Sequence, residues 1–215
     1  MVVSFSNNFI FLRVPKNAST SVAAYFVKNA CNNDDVWTRI NDAGVGDHNI
    51  SPSVISKHKH DYHFIHMTLN EIVHENIITL NQARSMDVIN IIRDPFERQL
   101  SLYFWKQRGN RSPEDFRKQF KNGYHANDVS NKITQYDYGC VAGEHVAQCW
   151  LYDDIERHLQ QFCSDRNLPS PSLNTYKSDV SDKKDMSYYD DETYAAVAKY
   201  YAKDIELYNR LKNEN

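Results

Sequence analysis

Phe9-Ile10-Phe11-Leu12-Arg13-Val14-Pro15-Lys16-Asn17-Ala18-Ser19-Thr20-Ser21-Val22-Ala23 divides into three pieces. Residues 9–14 are a short, nearly continuous apolar run closed by Pro15, the pattern of a strand buried on both faces of a parallel sheet. Ser19, Thr20 and Ser21 supply helix-capping hydroxyls, and Val22, Ala23, Tyr25, Phe26 and Ala30 return at helical spacing. Strand, turn and helix thus follow one another. The same grammar recurs at residues 88–92, a strand, at Arg93-Asp94-Pro95, a turn with proline at the first helical position, and at residues 96–108, a helix.

Between these units, residues 62–66 read as a further strand and Thr68-Leu69-Asn70-Glu71 as a capping box opening a short helix. Residues 109–143 are polar and hold four glycines, which predicts loops around a helix near 113–122. A strand at 147–151, a helix near 154–163, a surface loop over 168–185 and C-terminal helices capped by Asp190-Asp191-Glu192 complete the chain. Alternating strands and helices predict one α/β domain over 1–215 with a central, mainly parallel sheet flanked by helices, because parallel strands need crossover connections.

Composition narrows the function. Six glycines stand where the usual ~7% would give roughly 15, and the first 43 residues contain none. No GxGxxG and no GxxxxGK[ST] occurs, so the two best-known nucleotide loops are absent. A net charge of -3 gives no general attraction to nucleic acid or anionic lipid, and any bound anion needs a local site. No apolar run approaches the ~18 residues of a membrane helix, and MVVSFSNNFIFLRVPK lacks the order of a signal peptide. A soluble, cytoplasmic chain is expected. Four cysteines without a CxxC make no disulfide framework.

Both strand-turn-helix units carry a cation where open α/β sheets bind ligands, beyond the carboxyl ends of the strands. Lys16, Asn17, Ala18, Ser19, Thr20 and Ser21 put an ammonium, small residues and hydroxyls around a helix start, a P-loop-like cradle for a tetrahedral anion. The alternative is an exposed turn with an ordinary cap. Arg93 ends the second strand and Ser101 follows two helical turns later; a guanidinium donates to two phosphate oxygens at once. The alternative there is an arginine paired with Asp94 or Glu97. Two such loops at matching strand ends point to a ligand with two separated anionic groups.

FLRVPKNASTSV resembles the 5′-phosphosulfate loop of sulfotransferases, and NIIRDPFERQLSLYFW resembles their 3′-phosphate motif, in the family's order and roughly 75 residues apart. The likeness extends over most of the chain, through Phe64-Ile65-His66, CWLYDDIERHLQQFCSDRNLP and the C-terminal YYDDETYAAVAKYYAKDIELYNRL, and is nearest in look to carbohydrate sulfotransferases that act at uronyl 2-O positions. It implies 3′-phosphoadenosine 5′-phosphosulfate (PAPS) as co-substrate, no metal, and an acceptor hydroxyl, that of a glycan foremost. Lys16 would stabilise the leaving phosphate, Arg93 and Ser101 would hold the 3′-phosphate, and Lys177, with Lys183 and Lys184, would close over the nucleotide. His66 is the implied general base, with His63 second. The run His58 to His66 matches no usual zinc spacing.

The relatives carry a cysteine pair near Cys140 and Cys149, which leaves a disulfide open, and a Golgi location if an anchor precedes this sequence. Trp105, Lys106, Arg108, Arg111, Tyr124, Tyr136 and Tyr138 are candidates for an acceptor groove. Two other readings stay open: a non-catalytic nucleotide-binding or scaffold protein of the same fold, and a small P-loop kinase, which the missing GK[ST] disfavours.

Overall fold

A computed structural model describes residues 1–58, 62–107, 111–122, 132–171 and 185–214, the side chains of residues 62 and 63 excepted. The first strands are β1 (Val2–Ser4) and β2 (Phe9–Phe11), joined by a turn with Asn8 at φ 54°, too short for anything but an antiparallel pair. α1 (Ser19–Asn29) and β3 (Val36–Trp37) follow, and β3 pairs antiparallel with the outer edge of β1. α2 (Pro52–Lys57), α3 (Leu69–His74) and α4 (Leu80–Ser85) lead to β4 (Asp87–Ile92), which lies parallel to β2 with Phe11 opposite Ile89. α5 (Pro95–Lys106), α6 (Pro113–Lys121) and the short α7 (Gln135–Tyr138) precede a hairpin of β5 (Cys140–Val141) and β6 (Glu144–His145). β7 (Gln148–Leu151) joins β4 in parallel. α8 (Ile155–Asp165), α9 (Asp191–Tyr200) and α10 (Ala202–Glu214) complete the described elements.

The sheet is five-stranded in the order β3-β1-β2-β4-β7. It is mixed rather than mainly parallel: the β2–β4–β7 side is parallel and the β3–β1–β2 side antiparallel. The departure comes from Val2-Val3-Ser4, a strand too short to stand out in the sequence, which folds straight back on β2.

Side chains alternate across the strands and divide the core into two layers. Val3, Ile10 and Val88 face Phe64, Leu69 and Ile72, whereas Phe9, Phe11, Ile89 and Ile91 face Val22 and Phe26 of α1 and Leu159 and Phe162 of α8. Each such fully buried aliphatic or phenyl group contributes about 1.5–3 kcal/mol of transfer free energy. After the exposed Asp87, β4 therefore reads as a near-continuous apolar run, broken at Asn90, whose buried amide donates to the Gln135 carbonyl at 2.7 Å. A third, aromatic core of Phe96, Tyr103, Phe104, Phe116, Tyr189 and Tyr201 joins α5, α6 and α9. No helix among the described residues is long and apolar enough to cross a membrane.

Two local expectations need correction. Residues 62–66 form a 3-10 turn, not a strand. Phe64, Ile65, His66 and Met67 are consecutive and all buried, so no alternation sorts them onto two faces; Phe64, Ile65 and Met67 share one core cluster, and His66 turns to the Arg13 carbonyl. The hydroxyls of residues 19–21 do not cap α1: the N-cap is Ala18, left-handed and without a side-chain cap. The capping box at Thr68 and Glu71 forms as its sequence implies.

Candidate functional site

Beyond the end of β2 the chain bends sharply before entering α1. Lys16 (φ 67°) and Ala18 (φ 55°) are both left-handed, a conformation that costs a residue with a Cβ about 1–2 kcal/mol. Neighbouring groups hold it there. The buried Asn17 amide donates to the Ile91 carbonyl (2.5 Å) and to Gln135 Oε1 (2.6 Å), and Ser19 Oγ donates to the Val14 carbonyl (2.9 Å). Arg98, fully buried on α5, donates through Nε to the Pro15 carbonyl (3.2 Å), and Arg93 donates to the Lys16 carbonyl (3.0 Å). Carbonyls 14, 15 and 16 thus accept from these donors, and the backbone bonds of α1 begin with the Ser21 and Val22 amides on the Ala18 carbonyl. Thr20 and Ser21 stay half-buried.

Lys16 is half-buried, and burial, seconded by the positive charge of Arg93 and opposed by Asp42, pushes its amine down to about 8. Its Nζ stands 5.5 Å from the ring centre of Trp105, an indole 41% exposed on α5. Arg93, 3% exposed at the end of β4, packs its guanidinium 4.3 Å from the Tyr152 ring and pairs with Glu97 Oε2 at 3.1 Å, leaving Nε without a hydrogen-bond partner among the described residues. The pairing with Glu97 weighed from the sequence is thus present; Asp94 instead caps α5 through the amides of Phe96 (2.8 Å) and Glu97 (3.2 Å). Ser101 lies half-buried two turns along that helix.

His66 is 4% exposed, and its Nδ1 lies 2.5 Å from the Arg13 carbonyl. A carbonyl only accepts, so Nδ1 carries a proton and donates it to Arg13. His58, from the same histidine-rich run, stacks on Phe64 (5.5 Å) and reaches Glu75 (3.2 Å). Lys177, Lys183, Lys184, Arg108 and Tyr124 lie outside the described residues, as does the His63 side chain. Of the acceptor-groove candidates, Tyr138 is fully buried in the core below the sheet and is withdrawn. Tyr136 stacks on His145 at 4.5 Å. Cys140 and Cys149 are free thiols, and burial pushes Cys149 up to about 12.

Three residues at the site carry no local sequence signal: Gln135, Arg98 and Asp204. Gln135 is fully buried; its Oε1 accepts from Asn17 and from the Arg93 amide (2.9 Å), and its Nε2 donates to the Arg93 carbonyl (2.9 Å). Asp204 of α10, also fully buried, accepts from the amides of Gln135 and Tyr136 at 2.8 Å each.

Two cations thus lie beyond the ends of neighbouring parallel strands, where open α/β sheets bind ligands, with Arg93 donating to the Lys16 carbonyl. The class is borne out by comparison: residues 1–177 match the sulfotransferase family, and the chain belongs to it. Sulfuryl transfer is that family's chemistry. Both motifs fall inside the match, whereas α9 and α10 lie outside it. No curated protein and no solved structure matches the chain.

Proposed function

We propose that this protein transfers the sulfuryl group of PAPS to a hydroxyl of a carbohydrate acceptor. The observation that supports the reading is the meeting of Lys16 and Arg93: the Arg93 guanidinium donates to the Lys16 carbonyl at 3.0 Å, and burial, seconded by the charge of Arg93, lowers the Lys16 amine. Two cations held together in this way, one of them nearly buried, favour anionic groups beside them. In this reading the amides of residues 17–20 and the hydroxyls of Thr20 and Ser21 receive the 5′-phosphosulfate, while Asn17 and Ser19 keep the cradle in shape. Arg93 and Ser101 take the 3′-phosphate, which competes with Glu97 for the guanidinium, and Lys177 belongs to a segment that closes on the nucleotide.

The acceptor oxygen attacks sulfur while its proton passes to Nε2 of His66. The bond from sulfur to the 5′-phosphate oxygen breaks, and the electron pair stays on that oxygen beside the Lys16 ammonium. The carbohydrate assignment rests on the resemblance of the His66 segment and the second motif to uronyl 2-O-sulfotransferases, and on the exposed indole of Trp105 within 5.5 Å of the Lys16 amine, a flat surface suited to a sugar ring.

The test is transfer of labelled sulfuryl from PAPS to a panel of glycans, phenols and peptides, preceded by thermal shift. Adenosine 3′,5′-bisphosphate should stabilise the protein and ATP with magnesium should not. Stabilisation without transfer to any acceptor would establish the non-catalytic reading instead. Stabilisation by ATP alone would favour the kinase.

A further inference from the structure

The two cationic loops are fastened to each other by one side chain that belongs to neither motif. Gln135 stands at the start of α7, and its amide reaches both loops: Oε1 takes Asn17 Nδ2 at 2.6 Å and the Arg93 N–H at 2.9 Å, and Nε2 donates to the Arg93 carbonyl at 2.9 Å. Its backbone is fixed as tightly. The carbonyl receives Asn90 Nδ2 at 2.7 Å and the N–H is held by Asp204 at 2.8 Å. In effect the glutamine amide adds one more rung to β4 just where the strand ends, and uses the same oxygen to hold the neighbouring loop.

A second link between the loops, from the Arg93 guanidinium to the Lys16 carbonyl at 3.0 Å, comes from the group that must turn toward a phosphate. The Gln135 link does not. It joins the backbone of residue 93 to the side chain of residue 17, so it persists wherever the guanidinium points. Burying an amide here would be unfavourable unless its hydrogen bonds were made, and they are made to these two loops.

We propose that Gln135 is a positioning residue that fixes the spacing of the two anion subsites and thereby sets the preference for a ligand phosphorylated at both the 3′ and the 5′ position. The inference rests on the donor reading above. A ligand that engages two sites at once gains affinity only as far as the sites are already held at its own span. Loosening the tie therefore lowers affinity for the bisphosphate and leaves each single phosphate as it was.

The experiment is calorimetric titration of the full chain and of Gln135→Met with adenosine 3′,5′-bisphosphate, adenosine 5′-monophosphate and adenosine 3′-monophosphate. Methionine keeps the volume and loses every side-chain hydrogen bond while the backbone bonds to Asn90 and Asp204 remain. The expected result is a loss on the order of tenfold for the bisphosphate, with both monophosphates within about twofold of the parent. Equal loss for all three ligands, or loss for none, overturns the proposal. Should Gln135→Met not fold, Gln135→Asn takes its place: it keeps an amide one methylene too short to reach both loops, and the same pattern is expected. If neither variant folds by circular dichroism, Gln135 is a determinant of the fold alone and the proposal fails. A parent protein with no preference for the bisphosphate refutes the donor reading itself; a parent that has the preference and a variant that keeps it refute only the role of Gln135.

Discussion

The Lys16 amine gives the most direct test of the site. Its descent from 10.5 to about 8 corresponds, at 1.36 kcal/mol per pH unit and allowing for its partial exposure, to about 2–3 kcal/mol against the charged form. The unfolded chain binds this proton more tightly than the folded one, so the stability contribution rises as pH climbs from about 8 to 10.5. Ligand binding runs the other way. A phosphate or phosphosulfate beside the amine favours the ammonium, so binding takes up a proton near pH 8 and weakens above it. With the free amine at about 8, roughly nine in ten molecules are protonated at pH 7 and roughly one in ten at pH 9, which makes Kd for adenosine 3′,5′-bisphosphate rise about tenfold across that interval. Titration calorimetry between pH 7 and pH 9.5, in buffers of different ionisation enthalpy, measures both the slope and the proton uptake. Lys16→Arg keeps its charge throughout and should give a flat profile. A flat profile for the parent protein, or the same slope in Lys16→Arg, would refute the placement of this amine against the bound anion.

Three other outcomes are expected. His66→Ala should lower kcat by about 10²- to 10⁴-fold while the bisphosphate still binds, because the Nε2 base is lost and the donor loops are untouched; loss of ligand binding in calorimetry would assign the ring to structure through its bond to Arg13. Glu97→Gln should tighten bisphosphate binding by up to about fivefold, since it removes a carboxylate 44% exposed that competes for Arg93 and such pairs contribute at most ~1 kcal/mol; weaker binding would mean that Glu97 orients the guanidinium productively. Asp204→Ala should destabilise the fold by about 3 kcal/mol in urea unfolding, because it uncovers one buried and one half-buried amide and takes away the carboxyl group that faces buried Arg98. A change below about 0.5 kcal/mol would show that water replaces the carboxylate there.

Both motifs were legible because each is local: the strand, the cation and the following helix lie within one run of residues, and hydrophobic pattern, proline and charge all report on neighbours. What joins the motifs was not legible. Gln135 meets Asn17 across 118 positions and Asp204 meets Gln135 across 69, and nothing in the surrounding polar residues distinguishes that glutamine from a solvated one. Arg98 is a similar case. On a helix beginning Pro-Phe-Glu-Arg it reads as a surface charge, yet it is fully buried against the Pro15 carbonyl. Residues 62–66 failed for a different reason, since four consecutive buried residues have no period to read.

The scarcity of glycine takes on a physical meaning at the first loop. A chain without glycine before residue 44 still places Lys16 and Ala18 in left-handed geometry, where glycine would sit without strain. At position 16 glycine would remove the ammonium. The conformation is held by Ser19 closing on Val14 within the loop and, from outside it, by the partners of Asn17 at Ile91 and Gln135 and by Arg93 and Arg98 drawing in the carbonyls of Lys16 and Pro15. Every one of those bonds except the one from Ser19 comes from, or reaches, the β4–α5 unit or α7. The shape of the first loop is thus tied to the second unit, and in the proposed reading a ligand that bridges Lys16 and Arg93 meets two cations held by one network of hydrogen bonds.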